Sequence, residues 1–135
     1  VASSGSISLA LAHNPTDSSR MQVINDFGSN RRRLRSWRAL TSFRKLASSK
    51  GMSFVEITME TGVTHQIRVH LAAIGHAIVG DSLYGPQSYP TDLVRHFLHS
   101  SRLEFAHPAS GQQTILESPL PTDLGNFLKR MKIVS

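Results

Sequence analysis

A chain of 135 residues fits one domain or a large part of one, and its lack of cysteine excludes a disulfide framework, a thiolate zinc site and a cysteine nucleophile. Lysine and arginine outnumber the acidic residues by 15 to 9, and the formal net charge of +6 favours a polyanionic partner, nucleic acid before an acidic membrane. No apolar run approaches membrane-spanning length, and there is no signal-peptide pattern. We therefore expect a cytoplasmic protein without a membrane segment. The alternative to a polyanionic partner is a soluble protein that is merely basic, and the charge alone does not decide between the two.

The amino-terminal half of the chain predicts strands separated by polar turns. The predicted strands cover residues 5–11, 20–24, the second half of 31–45, and 52–60, with a helix as the alternative for the third. Residues 13–17 contain asparagine, proline and aspartate, which favour a turn. The clearest strand pattern lies in residues 52–60, where apolar and polar residues alternate. The apolar face of that strand consists of Val55, Ile57 and Met59.

A helix is predicted over residues 65–74. Thr64 can act as its N-cap, and Gly75 can end it in the left-handed conformation. Its apolar residues recur at positions i, i+4 and i+7, so they share one face of the helix. These residues are Ile67, Leu71 and Ile74.

The carboxyl-terminal part of the chain predicts a short extended piece at residues 78–79, two strands at 97–105 and 114–117, and a last helix that Thr122 caps. The inward residues of that helix are Leu124, Phe127, Leu128 and Met131. Strand pairs joined by short turns outnumber helical crossovers. We therefore predict an α+β fold, in which a mixed, mainly antiparallel sheet is accompanied by a few short helices.

The opening turns of the first predicted helix carry a high density of polar and cationic side chains. The free amides and the partial positive charge of a helix amino terminus attract an anion, either a carboxylate or a phosphate. Arg68 can present a planar fork to a carboxylate, and His65 and Gln66 can hydrogen-bond a base. A surface helix with assorted polar residues fits the same pattern, and the residues alone leave both interpretations open.

Other signals in the chain are weaker. The two histidines of the predicted helix are five residues apart and do not share a face, and no His-Glu-x-x-His pattern occurs, so we predict no metal site. The basic run at residues 31–33 is most often a solvated loop, but it can equally contact RNA phosphates or recruit a partner. Trp37 and Phe43 can stack on bases, although core packing is the more common use of such residues.

Two segments carry a more specific pattern. Residues 61–70 have the sequence T-G-V-T-H-Q-I-R-V-H, and residues 75–85 have the sequence G-H-A-I-V-G-D-S-L-Y-G. Together they resemble the third motif of RluA-type pseudouridine synthases, approximately T-G-R-T-H-Q-I-R-V-H followed by G-H-P-I-x-G-D-x-x-Y-G. Val63 stands where that family usually has arginine, and Ala77 where it usually has proline. Residues 98–121 also resemble the family's closing strands.

The resemblance implies a fold like that of pseudouridine synthases and an enzyme that isomerises uridine in RNA, either ribosomal or transfer RNA, without a cofactor or a metal. Arg68 would be the catalytic arginine that pairs with the aspartate nucleophile and orients it. The implied RNA-binding residues are Thr64, His65, Gln66, His70, Arg31, Arg32 and Arg33. The implied residues of a structural turn are Gly62, Gly80, Asp81, Tyr84 and Gly85.

The aspartate nucleophile itself has no counterpart in the sequence, because no His-Arg-Leu-Asp-like segment occurs. We therefore expect residues 1–135 to be the C-terminal portion of a single synthase catalytic domain, inactive alone and monomeric in its full-length form. A non-catalytic RNA-binding module with the same fold is the alternative, and a basic DNA-binding domain is a weaker one. Catalysis requires an aspartate from upstream sequence, whereas binding does not.

Overall fold

The computed structural model describes residues 1–24, 35–86 and 92–133. These residues form an α+β fold with antiparallel sheets, which confirms the predicted fold class. The strands are β1 (Ser4–Ser8), β2 (Ala10–His13), β3 (Met21–Ile24), β4 (Ser36–Trp37), β5 (Leu40–Ser49), β6 (Met52–Met59), β7 (Arg102–Ala106) and β8 (Gln113–Glu117). The helices are α1 (Gln66–Ala73) and α2 (Thr122–Arg130).

The first sheet has the order β1-β5-β6, with the long strand β5 at its centre. A two-residue loop joins β5 to β6, and both of its residues, Lys50 and Gly51, have positive φ, as a type I′ turn requires. Ile7 of β1 and Phe43 of β5 are buried beneath α1. This sheet therefore supplies one of the two surfaces on which the helix packs.

The second sheet has the order β3-β2-β4. Residues 5–11 were predicted as one strand, but the chain leaves the first sheet after Ser8 and enters the second at Ala10. Ile7 and Leu11 consequently belong to different apolar clusters. The predicted turn after β2 is present, because the Asn14 side chain accepts hydrogen bonds from the amides of residues 16 and 17.

Helix α1 joins the two sheets, because Val69 packs with the second sheet while Leu71 packs with the first. Thr64 was predicted as its N-cap, but His65 occupies that position with φ 57° and makes no side-chain capping bond. Gly75 does adopt the predicted left-handed conformation, with φ 82°. Ile74 lies beyond the last helical residue and is 37% exposed, so it does not extend the inward face.

The carboxyl-terminal part consists of the β7–β8 hairpin and α2. The predicted strand at 97–105 begins only at Arg102, because Phe97 instead packs edge-to-face against Phe54 and contacts the ring of Phe127 on α2. Pro121 rather than Thr122 occupies the N-cap position of α2. Within residues 1–24, 35–86 and 92–133, no helix is long and apolar enough to cross a membrane.

The inward face of α2 is narrower than the sequence predicts. Leu124 and Phe127 are buried as predicted, whereas Leu128 and Met131 are only partly buried. Residues 78–79 form no strand, although the carbonyl of Val79 accepts a hydrogen bond from the Phe97 amide.

Candidate functional site

The loop at residues 61–64 leads from β6 into α1, and the turn at residues 80–85 folds back against the same helix. Both segments belong to the motif that the sequence singled out. Together with polar side chains of α1, they form two hydrogen-bonded networks, which decide which residues face the interior and which remain accessible.

Gln66, the first residue of α1, fastens the loop to the sheet. Its side-chain oxygen accepts hydrogen bonds from the Thr61 hydroxyl at 2.9 Å and the Val63 amide at 3.1 Å. Its side-chain nitrogen donates to the Leu40 carbonyl at 3.0 Å and the Thr41 hydroxyl at 3.1 Å. Gln66 is only 2% exposed, so four protein partners satisfy its amide away from solvent.

His70 continues this network across the helix. The Leu9 carbonyl lies 2.8 Å from its Nε2, and the Thr41 hydroxyl lies 2.8 Å from its Nδ1. A carbonyl can only accept, so Nε2 carries the hydrogen that it donates to Leu9. The ring is fully buried and bonds the carbonyl at the point where the chain changes sheets.

Arg68 and Asp81 form a bidentate ion pair. Nε of Arg68 donates to Oδ2 of Asp81 at 2.9 Å, and Nη2 donates to Oδ1 at 2.8 Å. The Asp81 side chain is fully buried, and that of Arg68 is 14% exposed. Burial would raise the pKa of Asp81, but hydrogen bonds from Arg68 and from the amides of Tyr84 and Leu83 outweigh it and lower the pKa to about 2.

Tyr84 links this ion pair to the start of α1. Its hydroxyl accepts a hydrogen bond from the Met21 amide at 2.9 Å and lies 2.7 Å from Nδ1 of His65, to which it can donate. The guanidinium groups of Arg20 and Arg68 lie 5.4 Å and 5.1 Å from the centre of its ring. Burial lowers the pKa of His65, and the positive charge of Arg68 lowers it further. A lowered pKa favours the neutral ring, whose Nδ1 can accept the Tyr84 hydrogen.

Two glycines of the turn are required by close packing. A Cβ on Gly80 would lie 2.4 Å from the Arg95 carbonyl oxygen, and one on Gly85 would lie 2.6 Å from the Asp81 carbonyl oxygen. Gly80 also has φ 81°, which favours glycine. At Gly62, by contrast, an added Cβ would meet no atom within 4 Å, so the backbone there is open to approach.

A cavity of about 410 Å³ lies beside the loop. One side is formed by His13, Met21 and Trp37 of the second sheet, and the other by residues 61–64. The Trp37 and His13 rings meet edge-to-face with their centres 5.5 Å apart, and the Arg35 guanidinium lies 5.1 Å from the centre of the Trp37 ring. Within the described part of the chain, the site thus offers aromatic rings, loop backbone and a nearby cation, Arg35.

Comparison with known proteins identifies the family. A family model described as RNA pseudouridylate synthase matches residues 9–73, which include β2, the cavity loop and α1. An uncharacterised RNA pseudouridine synthase of Chloroflexus aurantiacus is 38% identical over 128 residues, a match that covers 95% of this chain and 38% of that protein. The chain belongs to the RNA pseudouridine synthase family.

Other members of the pseudouridine synthase family agree with this assignment. The ribosomal large subunit pseudouridine synthase D of Nitrosomonas europaea is 36% identical over 135 residues, covering 95% of this chain and 37% of that protein. The human RNA pseudouridylate synthase domain containing 1 has the same fold, with a TM-score of 0.71 and 25% identity, and the match covers 97% of this chain and 60% of that one. The chain therefore spans less than half the length of these two bacterial synthases.

The structure separates the residues that were predicted to bind RNA. Thr64 is exposed and lines the cavity, and His65 is half-buried beside Tyr84. Gln66 and His70 lie in the interior, where protein groups occupy their polar atoms, so their contact with RNA stays a prediction that this geometry does not favour. The remaining three, Arg31, Arg32 and Arg33, lie outside the described residues.

Sequence reasoning did not connect His13 and Met21 with the synthase motif. Both are far from residues 61–64 in the chain, and only the pairing of β2 with β3 and β4 brings them to the loop. Trp37 was considered as a residue that can stack on bases, but its position beside the motif carried no local signal. Among the described residues, no group of three or more His, Cys, Asp or Glu side chains is placed to hold a metal ion.

Acid should selectively weaken the fold through Asp81. Its pKa lies below the ordinary value of 3.8, so its contribution to stability is present above pH 4 and is lost as the pH falls towards 2. The difference between 3.8 and about 2 corresponds to about 2 kcal/mol. In urea titrations of the wild type and Asp81→Asn, we expect the stability gap to narrow by about that amount between pH 5 and pH 2. An equal stability difference between the wild type and Asp81→Asn at both pH values would contradict the lowered pKa of Asp81.

Proposed function

We propose that residues 1–135 form part of the catalytic domain of an enzyme that converts uridine to pseudouridine in RNA, with ribosomal RNA as the first substrate to test. The observation that carries this proposal is the motif at residues 61–85, which two hydrogen-bonded networks hold beside an open cavity. The similarity covers 95% of the chain and includes proteins named ribosomal large subunit pseudouridine synthase D. A cytoplasmic location and a monomeric full-length form stay predictions.

The proposed reaction is an isomerisation that needs no cofactor. An aspartate attacks the nucleoside, the bond from the ribose C1′ to N1 of uracil breaks, and the base turns. A C1′–C5 bond then forms while the bond to the aspartate breaks and frees its carboxylate, C5 loses its proton, and N1 gains one. Because the chain spans 38% of one bacterial relative and 37% of another, we propose that sequence outside residues 1–135 supplies this aspartate. On that basis residues 1–135 are the C-terminal portion of the domain and are inactive alone.

The geometry favours an indirect role for Arg68. Direct pairing with a catalytic aspartate would require its guanidinium to be available, but two of its nitrogens already bond Asp81, which is buried. Arg68 therefore acts in this proposal as a positioning residue, which holds Asp81 and the ring of Tyr84 and, through them, His65. Direct pairing with the nucleophile stays the alternative prediction for this residue.

A non-catalytic RNA-binding module is the second candidate function. Val63 lines the cavity at the position where the family motif usually has arginine, and the charge of Arg68 is neutralised by Asp81. The described part of the site therefore offers less positive charge than the family motif predicts. RNA binding without turnover is the behaviour that this arrangement would allow.

The test uses the full-length protein and a ribosomal RNA transcript labelled with tritium at C5 of uridine. A synthase releases tritium to water as the new C–C bond forms, in proportion to the pseudouridine made. Binding of the RNA without tritium release would instead support the binding module. DNA of the same sequence is the control for general polyanion binding, because phosphate contacts alone do not distinguish the two nucleic acids.

Restoring the missing cation should strengthen RNA binding. Val63 is half-buried with its neighbours on the cavity wall, so in Val63→Arg the stem can cover the same apolar surface while the guanidinium reaches the cavity. We expect tighter RNA binding and a salt dependence that is steeper by about one phosphate contact. Val63→Met is the uncharged control of similar length. An unchanged salt slope in Val63→Arg would show that this wall does not face RNA phosphate.

A further inference from the structure

We propose that the cavity between Trp37 and residues 61–64 holds an unpaired RNA base adjacent to the reacting uridine, stacked on the Trp37 ring. This inference rests on the proposed function, because it takes RNA as the ligand. It assigns Trp37 and Arg35 a role in recognition.

The wall formed by the second sheet has the chemistry of a stacking platform. Trp37 is half-buried and belongs to β4. It pairs with Leu11 of β2, and this pairing fixes the backbone that carries the ring. The exposed His13 meets the Trp37 ring edge-to-face, and the exposed Arg35 lies over that ring. Aromatic side chains and arginine planes are the groups on which proteins stack unpaired bases.

The opposite wall leaves room for a base and offers it polar groups. Gly62 is exposed and has open space around it, so a flat ring can approach the backbone there. Thr64 is exposed on the same wall. The volume of about 410 Å³ lies within the range of about 300–1,000 Å³ typical of small-ligand pockets. The cavity is therefore large enough for one nucleotide.

The lining also indicates recognition rather than chemistry. Of the residues that the structure describes, those that form the lining include no carboxylate, lysine or arginine, and Arg68 and Asp81 lie elsewhere, bonded to each other. A neutral lining suits an uncharged base. The Arg35 guanidinium, which lies over the Trp37 ring, is a cation beside the cavity that can contact the adjoining phosphate. For this reason we assign the cavity to a neighbour of the reacting uridine and not to the uridine itself.

The test measures the affinity of the full-length protein for the ribosomal RNA transcript in four variants. We expect Trp37→Ala to weaken binding by about 10- to 100-fold, the effect of losing one stacked base. Trp37→Phe should retain most of the affinity because it keeps an aromatic face. Arg35→Ala should reduce the salt slope by about one phosphate contact. Arg44→Ala removes the same charge from an exposed ion pair on the first sheet and should change little.

Phe54→Ala separates stacking from packing. Phe54 is also a half-buried aromatic residue with an edge-to-face partner, Phe97, but it lies on β6, away from the cavity. We expect its loss to lower the melting temperature and leave RNA affinity unchanged. RNA affinity in Trp37→Ala within twofold of the wild type would overturn the inference. The inference would also be overturned if Trp37→Ala and Phe54→Ala both lost RNA affinity in proportion to their decrease in melting temperature.

The outcomes also distinguish this inference from the proposed function. Dependence of RNA affinity on Trp37 in a protein that releases no tritium would support the stacking site and contradict the synthase proposal. Tritium release that proceeds with unchanged affinity in Trp37→Ala would support the synthase proposal and contradict the stacking site.

Discussion

Replacing Arg68 with alanine is expected to lower the free energy of unfolding by about 3–5 kcal/mol, the cost of leaving a buried charge without its partner. The Asp81 side chain is fully buried and receives two hydrogen bonds from this guanidinium. Arg68→Lys keeps the positive charge but cannot donate through two nitrogens at once. Its free energy of unfolding should therefore lie between those of the wild type and Arg68→Ala. Urea denaturation of the wild type and the two variants measures these differences.

A double-mutant cycle provides the control for this prediction. If the cost of Arg68→Ala comes from the uncompensated Asp81 carboxylate, removing that carboxylate as well should recover part of the stability. Arg68→Ala combined with Asp81→Ala should therefore cost less than the sum of the two single substitutions. Strictly additive losses would mean that the two side chains contribute independently, and the ion pair would not explain the effect.

The same double variant separates the two roles considered for Arg68. A positioning residue acts through Asp81 and Tyr84, so a folded double variant should keep measurable tritium release, with kcat reduced and the RNA dissociation constant little changed. Complete loss of turnover in a protein that is folded and binds RNA normally would instead favour direct pairing of Arg68 with the nucleophile.

The second large effect is expected at Gln66. Gln66→Met fills a similar volume, but it removes the hydrogen bonds that the Gln66 side chain makes to the part-buried Val63 amide and Leu40 carbonyl. A buried polar group without a partner costs about 1–3 kcal/mol, so we expect a total loss of about 2–4 kcal/mol in urea denaturation. Thr64→Ala, two residues earlier on the exposed face of the loop, is the matched control and should stay within about 0.5 kcal/mol of the wild type.

Gln66→Met should also affect the cavity, because Gln66 is one of the links between the loop and β5, beside the hydrogen bond from the Leu40 amide to the Thr61 hydroxyl. Greater accessibility of residues 61–64 to hydrogen exchange, with the exchange of α2 unchanged, is the expected signature. Wild-type stability in Gln66→Met would show that water can replace all four hydrogen bonds, and Gln66 would then be free for the RNA contact that the sequence suggested.

The sequence predicted most elements because their signals are local. The alternation of Val55 and Ile57 with polar residues marked β6, and Gly75 marked the end of α1. The break at Leu9 was missed because apolar alternation continues unchanged from β1 into β2 while the chain passes from one sheet to the other. The change of sheet depends on long-range pairing, for which no local pattern exists.

The site was predicted less completely than the fold, for a related physical reason. Gln66 and His70 are polar, and polar residues at the start of a helix are normally expected to face solvent or a ligand. Here they face inward, because Thr41 and the carbonyls of Leu40 and Leu9 provide partners from strands distant in sequence. The motif drew attention to this part of the chain, but which of its residues face the cavity could only come from the packing.

The residues of segment 61–70 differ in how freely they can be substituted. Gln66, Arg68 and His70 are each committed to partners in the interior, so a substitution at any of them disturbs several elements at once. Val63 and Thr64 on the cavity wall carry few such obligations. Substitutions on the cavity wall can therefore change what the cavity accepts, one residue at a time, without disturbing the scaffold.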